Sequence, residues 1–527
     1  MKYLWLRFTL LLVFFARTIG AQTLPIDPDF GEAGISTLQA LTGYKVMSRI
    51  KVLDDDKIIA VGSSQGFSNG STHFTVLKYL ADGSLDTGFG NGGAVYTPIE
   101  DASTAQDIAI QSDGKIVVAG SAFTASGQVM ALARYLPDGA LDNTFGVNGR
   151  LTVPVGATSA AKSITLQADG RILVAGYSGL SPNLDFALIR LSVDGALDPT
   201  FGNTGIVISP MPGNLPSGEA VKVLVRPNGN LMLVGNYRSE TIAVISRVFI
   251  AQYLSNGQFD PSFGNNGIWA SPQGQNNWVD EAVLSPDGRL IAVGSRFDSN
   301  TSDFNLLSFA VNSDGTTDLA YGNNGFSVLL PNGRKGFTAT GLAVLNTGAI
   351  RIGGGGSIPN NLNQDAVIIQ LNPAGQYDLS FNQTGYGFYP LLGYFSTTLD
   401  MDIQANGRIL QLVQYLEAQN NTAIFGYADK ANVATDETAQ PLLSASVFPN
   451  PVSDRSTLDY RLTETEQVAI NLYDPSGRHI QQIQALRSQA AGAYSIPFSG
   501  KDLPPGTYYV VLETSSGRQS IPVSIVK

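Results

Sequence analysis

A nine-residue phrase, Leu141-Asp142-Asn143-Thr144-Phe145-Gly146-Val147-Asn148-Gly149, is written seven times along the chain with small changes, and this constrains the fold more than any other feature. The aspartates of the copies are Asp27, Asp86, Asp142, Asp198, Asp260, Asp318 and Asp378, in steps of 59, 56, 56, 62, 58 and 60 residues. A fixed period of this size belongs to propellers and solenoids, where each unit buries its apolar face against the next. Three residues after each aspartate stands an aromatic: Phe30, Phe89, Phe145, Phe201, Phe263, Tyr321 and Phe381. Glycine follows in six copies, including Gly90, Gly146, Gly202 and Gly264, and Asn382 follows in the seventh. Both residue types tolerate positive φ, which predicts a sharp turn at this slot, anchored in a core by the aromatic.

Four short strand-like segments recur between the copies, most clearly Ala94–Thr97, Ala105–Gln111, Lys115–Gly120 and Val129–Leu136. The second and third are joined by Ser112-Asp113-Gly114, a tight hairpin signal because Asp-Gly adopts the turn that matches strand twist. Third segments such as Ile116-Val117-Val118-Ala119 are apolar at every position, as strands covered on both faces are. Four antiparallel strands per unit with sandwiched inner strands predict an all-β, seven-bladed β-propeller built from seven units of about 58 residues. A β-solenoid is the competing architecture, but its rungs are shorter than this unit.

The Leu-Asp-x-x-Phe-Gly-x-x-Gly phrase and the Asp-Gly-Lys-Ile-x-x-x-Gly phrase at Asp113–Gly120 resemble the delta-60 repeat family of bacterial secreted proteins. The resemblance covers about four fifths of the chain and implies a propeller-like fold with no agreed activity. The last unit departs from the pattern, with Asn382 for Gly, Val413 where the third strand normally carries Gly, and a poor fourth strand at Ala423–Asp429.

Both ends of the chain speak of export. Lys2 and Arg7 precede the apolar run Phe8–Ala16 and the small residues Gly20 and Ala21, the layout of a signal peptide cleaved after about Ala21. The run is shorter than the ~20 apolar residues that span a bilayer, so no transmembrane anchor is expected. From Val447 a second all-β module begins, with about seven short segments that predict a small immunoglobulin-like β-sandwich. It resembles the C-terminal sorting domain of the type IX secretion system of Bacteroidota, through Pro449-Asn450-Pro451, the turn with Gly477 and Arg478, the Leu-x-x-Gly-x-Tyr with Gly506 and Tyr508, and the apolar tail ending in Lys527. The resemblance implies handling by the type IX machinery as partner, and passage through the periplasm to the outer-membrane surface or the medium. The expected division is therefore a signal peptide over 1–21, the propeller over 22–430, a linker over 431–446 and the sorting domain over 447–527.

Composition removes several classes of chemistry. The chain has no Cys and only His73 and His479, so thiolate sites, His-based triads and zinc centres are hard to assemble. Net charge is −11, and all of the excess acid lies in the body, which disfavours nucleic acid. Gly62-Ser63-Ser64-Gln65-Gly66 matches the nucleophile-elbow string, but an elbow needs a strand turning into a helix, whereas a strand running into a loop is expected here. Gly353–Gly356 lacks the Lys and helix of a phosphate cradle. No cofactor is implied. The repeated aspartates invite calcium, yet one carboxylate per turn is too few for a tight site, and an aspartate accepting backbone N–H bonds within its own turn explains the same pattern.

Two function classes remain. A secreted or surface-held binding and adhesion scaffold for a glycan or protein fits the scarcity of catalytic residue types. An extracellular polysaccharide hydrolase or lyase would need two converging acids from a set including Glu219, Asp280 and Glu281. In an antiparallel blade the repeated Asp-Gly and Asp-x-x-Phe-Gly turns share one face. The loops that vary between units share the other, and specificity belongs there. Trp278, Tyr237, Arg238 and Arg296 are the expected contacts, since aromatic and Arg side chains dominate hot spots. Trp269 opens a strand and is better read as filling space between blades.

Overall fold

The structure, a computed structural model, describes residues 24–37, 45–65, 71–181, 183–209, 217–239, 245–272, 276–329, 331, 335–357, 364–390, 394–416, 420–428, 443–448, 452–462, 465–473, 479–501, 503–513 and 518–526. The expected signal peptide, Pro449, Asn450, Pro451 and Gly477 lie outside these residues, as does most of the expected linker. Residues 1–431 and 432–527 form two compact units.

In the first unit every strand is antiparallel to its neighbours within a four-stranded blade. Blade two runs outward from the axis as Ala102–Ile110, Ile116–Thr124, Gly127–Tyr135 and Arg150–Val153. Its second strand is buried at seven consecutive positions, because blades cover both of its faces. The seven innermost strands are Lys45–Val52, Ala102–Ile110, Ser159–Leu166, Ser217–Val225, Asn277–Leu284, Lys335–Val344 and Tyr394–Ile403. Each packs on the next around the ring, and the last packs on the first.

The structural blade is out of phase with the sequence repeat by one strand. Ala94–Thr97, expected to open the second unit, pairs with Thr72–Tyr79 and is the outer strand of blade one. The Asp-x-x-Phe-Gly segment therefore joins third and outer strands within a blade rather than leading to the next one. The same offset closes the ring. Ile35–Thr37, from the first repeat, pairs antiparallel with Asn420–Tyr427 and becomes the outer strand of blade seven. Ala423–Asp429 looked like a poor strand because its partner lies at the opposite end of the unit.

The second unit is a sandwich of a three-stranded sheet and a four-stranded sheet. Leu458, Tyr460 and Phe498 from one sheet meet Ile470, Leu472, Val510 and Leu512 from the other in a common core. Its first strand, Leu443–Phe448, begins inside the stretch read as linker. Tyr508 is buried there, and its hydroxyl donates to the Pro504 carbonyl.

Candidate functional site in the central channel

The repeated corner supplies the frame. Asp142 Oδ1 accepts the Thr144 N–H and hydroxyl at 3.1 and 2.7 Å, while Oδ2 stands 2.9 Å from Arg134 Nε. The guanidinium covers the Phe145 ring, 4.8 Å from its centroid, and Nη1 donates to the Val193 carbonyl of the next blade. Asp198 repeats this with Arg190, whereas Asp260 Oδ2 accepts from the Gln252 and Asn230 amides; the hydroxyls of Thr200 and Ser262 are the foremost cause holding the two carboxyls below the usual range. Asp86 holds the Gly88 N–H in the same way. Phe89, Phe145, Phe201 and Phe263 are all buried. The glycine slot has φ near +55° at Gly90, Gly146, Gly202 and Gly264, and Asn382 matches it at 51°. Its amide reaches the neighbouring blade: Gly90 N donates to Asp138 O at 2.7 Å and Gly146 N to Asp194 O at 3.2 Å. So the corner links blades by packing and hydrogen bonds, not by chain connection. Both oxygens of Asp142, Asp198 and Asp260 are engaged by protein groups, which accounts for these acids without calcium.

The second motif glycine shapes the channel. A Cβ at Gly120 would stand 2.0 Å from the Thr104 carbonyl, and one at Gly294 1.9 Å from the Trp278 carbonyl. These carbonyls press on the second strand because every innermost strand carries a β-bulge there, at Ser48, Gln106, Lys162, Val221, Asp280, Thr340 and Leu399. Bulges re-aim side chains and often flank functional sites. Bulge residues such as Gln106, Lys162 and Asp280 line the channel, and so do their successors Arg49, Asp107, Lys222, Glu281 and Asp400.

Those successors meet at the waist of the channel. Arg49 Nη1 lies 3.0 Å from Glu281 Oε2 and 3.2 Å from Asp400 Oδ1, and Lys222 Nζ lies 2.9 Å from Glu281 Oε1. Asp107 Oδ2 and Asp400 Oδ2 also accept backbone N–H bonds from Ile164 and Ile50 of the next blades. Burial disfavours every charge here, yet for three groups the partners prevail. Glu281, beside Lys222 and Arg49, is held below the usual carboxylate range. Arg49 and Lys222 are raised by the acids around them. At Asp400 burial outweighs Arg49 and pushes the carboxyl up to about 6.

Arg49 lines two cavities, one on each side of the waist. The smaller, about 250 Å³, lies toward the Asp-Gly turns and includes Lys51 and Asp402. The larger, about 740 Å³, lies at the starts of the innermost strands and so faces the variable loops. Trp278, half-buried, and Phe304, 45% exposed, line it with Asp280, Glu219 and Lys162. Glu219 faces Lys162 at 3.8 Å. Among the described residues no hydrogen-bond donor reaches the Asp280 carboxyl; burial, then the charge of Glu281, pushes it up to about 7 against the pull of Arg49.

Of the four expected contacts, Trp278 lines this cavity. Tyr237 is 4% exposed and meets Phe249 edge-on at 5.9 Å, so it belongs to the core and cannot serve as a surface contact. Arg296 is on the second strand of blade five, opposite Asn277, and does not line the cavity. The Arg238 side chain lies outside the described residues. Trp269 fills space as expected, stacked on Phe309 at 5.4 Å with Nε1 donating to Thr317. Ser64 is buried within a strand and bonded to Thr75, so there is no nucleophile elbow. Of the Gly353–Gly356 run, Gly354 faces the Thr338 carbonyl, while Gly353 and Gly356 make room for Met401 and Phe337. The waist cations and Phe304 escaped sequence reasoning; aligning the position after each bulge brings Arg49, Asp107, Lys222, Glu281 and Asp400 into one column with Ser163 and Gly341, a mostly charged set on the innermost strands.

A family described as "Domain of unknown function (DUF5122) beta-propeller" matches residues 53–89, 111–145, 167–201 and 226–263. "Secretion system C-terminal sorting domain" matches residues 446–527. No curated protein sequence matches the chain. Among solved structures, Drosophila Semaphorin 2a is similar at 8% identity and TM-score 0.43, over 94% of this chain and 98% of that one. The β-propeller domain of the Trilobed protease from Pyrococcus furiosus is similar at 10% identity and TM-score 0.40, over 73% and 94%. Polysaccharide lyase Uly1 is similar at 10% identity and TM-score 0.42, over 77% and 98%. Among the described residues no helix is long and apolar enough to cross a membrane. The chain is a β-propeller protein carrying DUF5122 repeats and a type IX secretion sorting domain, which directs it to the cell surface or the extracellular space.

Proposed function

We propose that the protein is an exported binding and adhesion scaffold whose ligand, a glycan, enters the larger channel cavity from the variable-loop face. The observation that carries this reading is that Trp278 and the exposed Phe304 both line a cavity of about 740 Å³ whose floor is closed by ion pairs. That volume is typical of small-ligand sites, and aromatic faces with a few polar groups are what such sites use. The frame beneath is rigid and repeated, while the rim is built from loops that differ between blades.

A second reading, polysaccharide hydrolysis, draws support from Asp280 and Glu219 sharing the cavity, with Asp280 pushed up to about 7 as a proton donor would be. Glu281 does not serve it, since both of its oxygens are held by Lys222 and Arg49. A glycan array followed by product analysis of every bound polysaccharide tests both. Binding lost in Trp278→Ala without product formation supports the scaffold; new reducing or unsaturated ends support the enzyme. Binding that maps to the Asp-Gly face overturns both.

A further inference from the structure

We propose that the larger cavity is selective for a glycan end bearing a free amine, with the ammonium group against Asp280 and the sugar ring against Trp278. This rests on reading the cavity as a glycan site and adds the chemistry of what enters it.

The cavity and waist bring together five carboxylates, Asp107, Glu219, Asp280, Glu281 and Asp400, against three cations, Arg49, Lys162 and Lys222. Four of the acids are matched. Asp107 and Asp400 hold backbone N–H groups and face Arg49, Glu281 holds Lys222 and Arg49, and Glu219 faces Lys162. Asp280 receives no donor among the described residues, and the cations of the waist are committed to its neighbours. Asp280 is half-buried and faces the cavity, and a carboxylate partly withdrawn from water with no partner is disfavoured, which a ligand cation offsets. Trp278 two residues earlier adds an aromatic face, and such faces attract cations as well as sugar rings. A neutral sugar would leave the acid unmatched, and an anionic one would be repelled. Hydroxyl-bearing wall residues, including Ser48, Thr338 and Thr397, suit a polyhydroxylated ligand better than a protein loop. Because the Arg49–Glu281 pair closes the floor, the ligand enters by one end rather than threading through.

Proton linkage gives a signature. Asp280, pushed up to about 7, is partly protonated near neutrality, and an ammonium group favours its ionised form. For a permanently charged ligand, affinity therefore rises with pH through that value. The charged groups around Asp280 are Arg49, Glu281, Asp400, Lys222, Glu219 and Lys162. Of these Asp400, pushed up to about 6, also titrates in the window. Its dependence persists when Asp280 is replaced, so the part that vanishes belongs to Asp280.

The test is calorimetric titration of the exported full chain with three sugars: the β-1,4-linked disaccharide of glucosamine, its N-trimethylated form and its neutral N-acetylated form. We expect the two charged sugars to bind at least about 30-fold more tightly than the acetylated one. Affinity for the trimethylated sugar should rise between about pH 5.5 and about pH 8.5. Asp280→Asn should lose the preference and the part of that rise centred near pH 7, while Trp278→Ala weakens all three sugars. Equal binding of the acetylated sugar, still dependent on Trp278, overturns the amine preference and leaves the glycan site standing. A preference unchanged in Asp280→Asn, a flat pH profile in the wild type, or binding of lysine peptides but of none of the sugars also overturns it. The wild-type pH profile decides the matter even if a variant fails to fold.

Discussion

Arg49 Nη1 stands 3.0 Å from Glu281 Oε2, although the two residues belong to blades one and five, which are not neighbours in the ring. The pair spans the axis and divides the channel into two cavities. It also collects Asp400, Asp107 and Lys222 into one network, so a single guanidinium serves three carboxylates from three blades.

Removing Arg49 should therefore cost more than a surface ion pair. Arg49→Met leaves Asp400 and Asp107 buried with backbone donors alone, and we expect a loss of about 3–5 kcal/mol. Denaturant titration of Arg49→Met beside Glu281→Gln measures it. A loss under about 1 kcal/mol would mean that the network is no more than an exposed pair.

Asp280 should make the propeller less stable as pH rises. Its folded value of about 7 lies above that of an unfolded aspartate, so the folded chain holds an extra proton between about pH 4 and pH 7. The stability linked to it is complete below about pH 4 and lost as pH climbs through 7. Asp400, pushed up to about 6, acts in the same direction, and the lowered Glu281 acts in the opposite one, losing stability as pH falls. Asp280→Asn should thus stabilise the protein at about pH 8 by about 1–3 kcal/mol and change it little near pH 4. Melting curves across this range check the sign; a variant less stable than wild type at pH 8 contradicts it.

The corner phenylalanines carry both core and cation contacts. Phe145 is fully buried under Arg134, which is itself 2% exposed and reaches into blade three. Phe145→Ala should cost about 3–5 kcal/mol by opening a cavity at a blade junction. Phe145→Leu, which keeps most of the volume, should cost less. Chemical denaturation of the pair separates these outcomes, and an alanine variant as stable as wild type would remove the corner from the core.

What could be read in advance was local. Asp-Gly hairpins, uniformly apolar second strands and the Asp-x-x-Phe-Gly corner each act within a few residues, so the propeller was legible from them. The strand phase was not, because a repeat can be cut anywhere along its period and only ring closure decides which strand is outermost. At the site, Trp278, Asp280, Glu281 and Glu219 stood out as departures from the repeat. Arg49 and Asp400 did not, because they sit 351 residues apart and meet only through closure. Tyr237 misled because a residue near a strand end reads as loop-facing, whereas alternation turns it inward onto Phe249.

Export depends on the second unit. A chain ending before Leu443 retains all seven blades, since their strands lie between Ile35 and Tyr427. In a host with type IX secretion this truncated chain should fold and accumulate in the periplasm. Cell fractionation reads the outcome, and surface or medium localisation of the truncated protein would contradict it.

Ring closure depends on the N-terminal strand. Ile35, Ser36 and Thr37 pair with Phe425, Ile424 and Ala423, and Asp27 Oδ2 accepts Arg408 Nε at 2.6 Å. Phe30, fully buried beneath Arg408, completes the corner, and Gly31 N donates to Asp82 O of blade one at 2.6 Å. A chain beginning after Thr37 loses all of these at once and leaves Asn420–Tyr427 as an open edge, a template for association between copies. We expect a loss of at least about 3–5 kcal/mol from Phe30 alone, with concentration-dependent aggregation. A synthetic peptide of residues 24–37 added in trans should restore the melting temperature and suppress the aggregation. The measurement is thermal denaturation of the truncated chain with and without peptide. A truncated chain that melts like the full one would show that the ring holds without its closing strand.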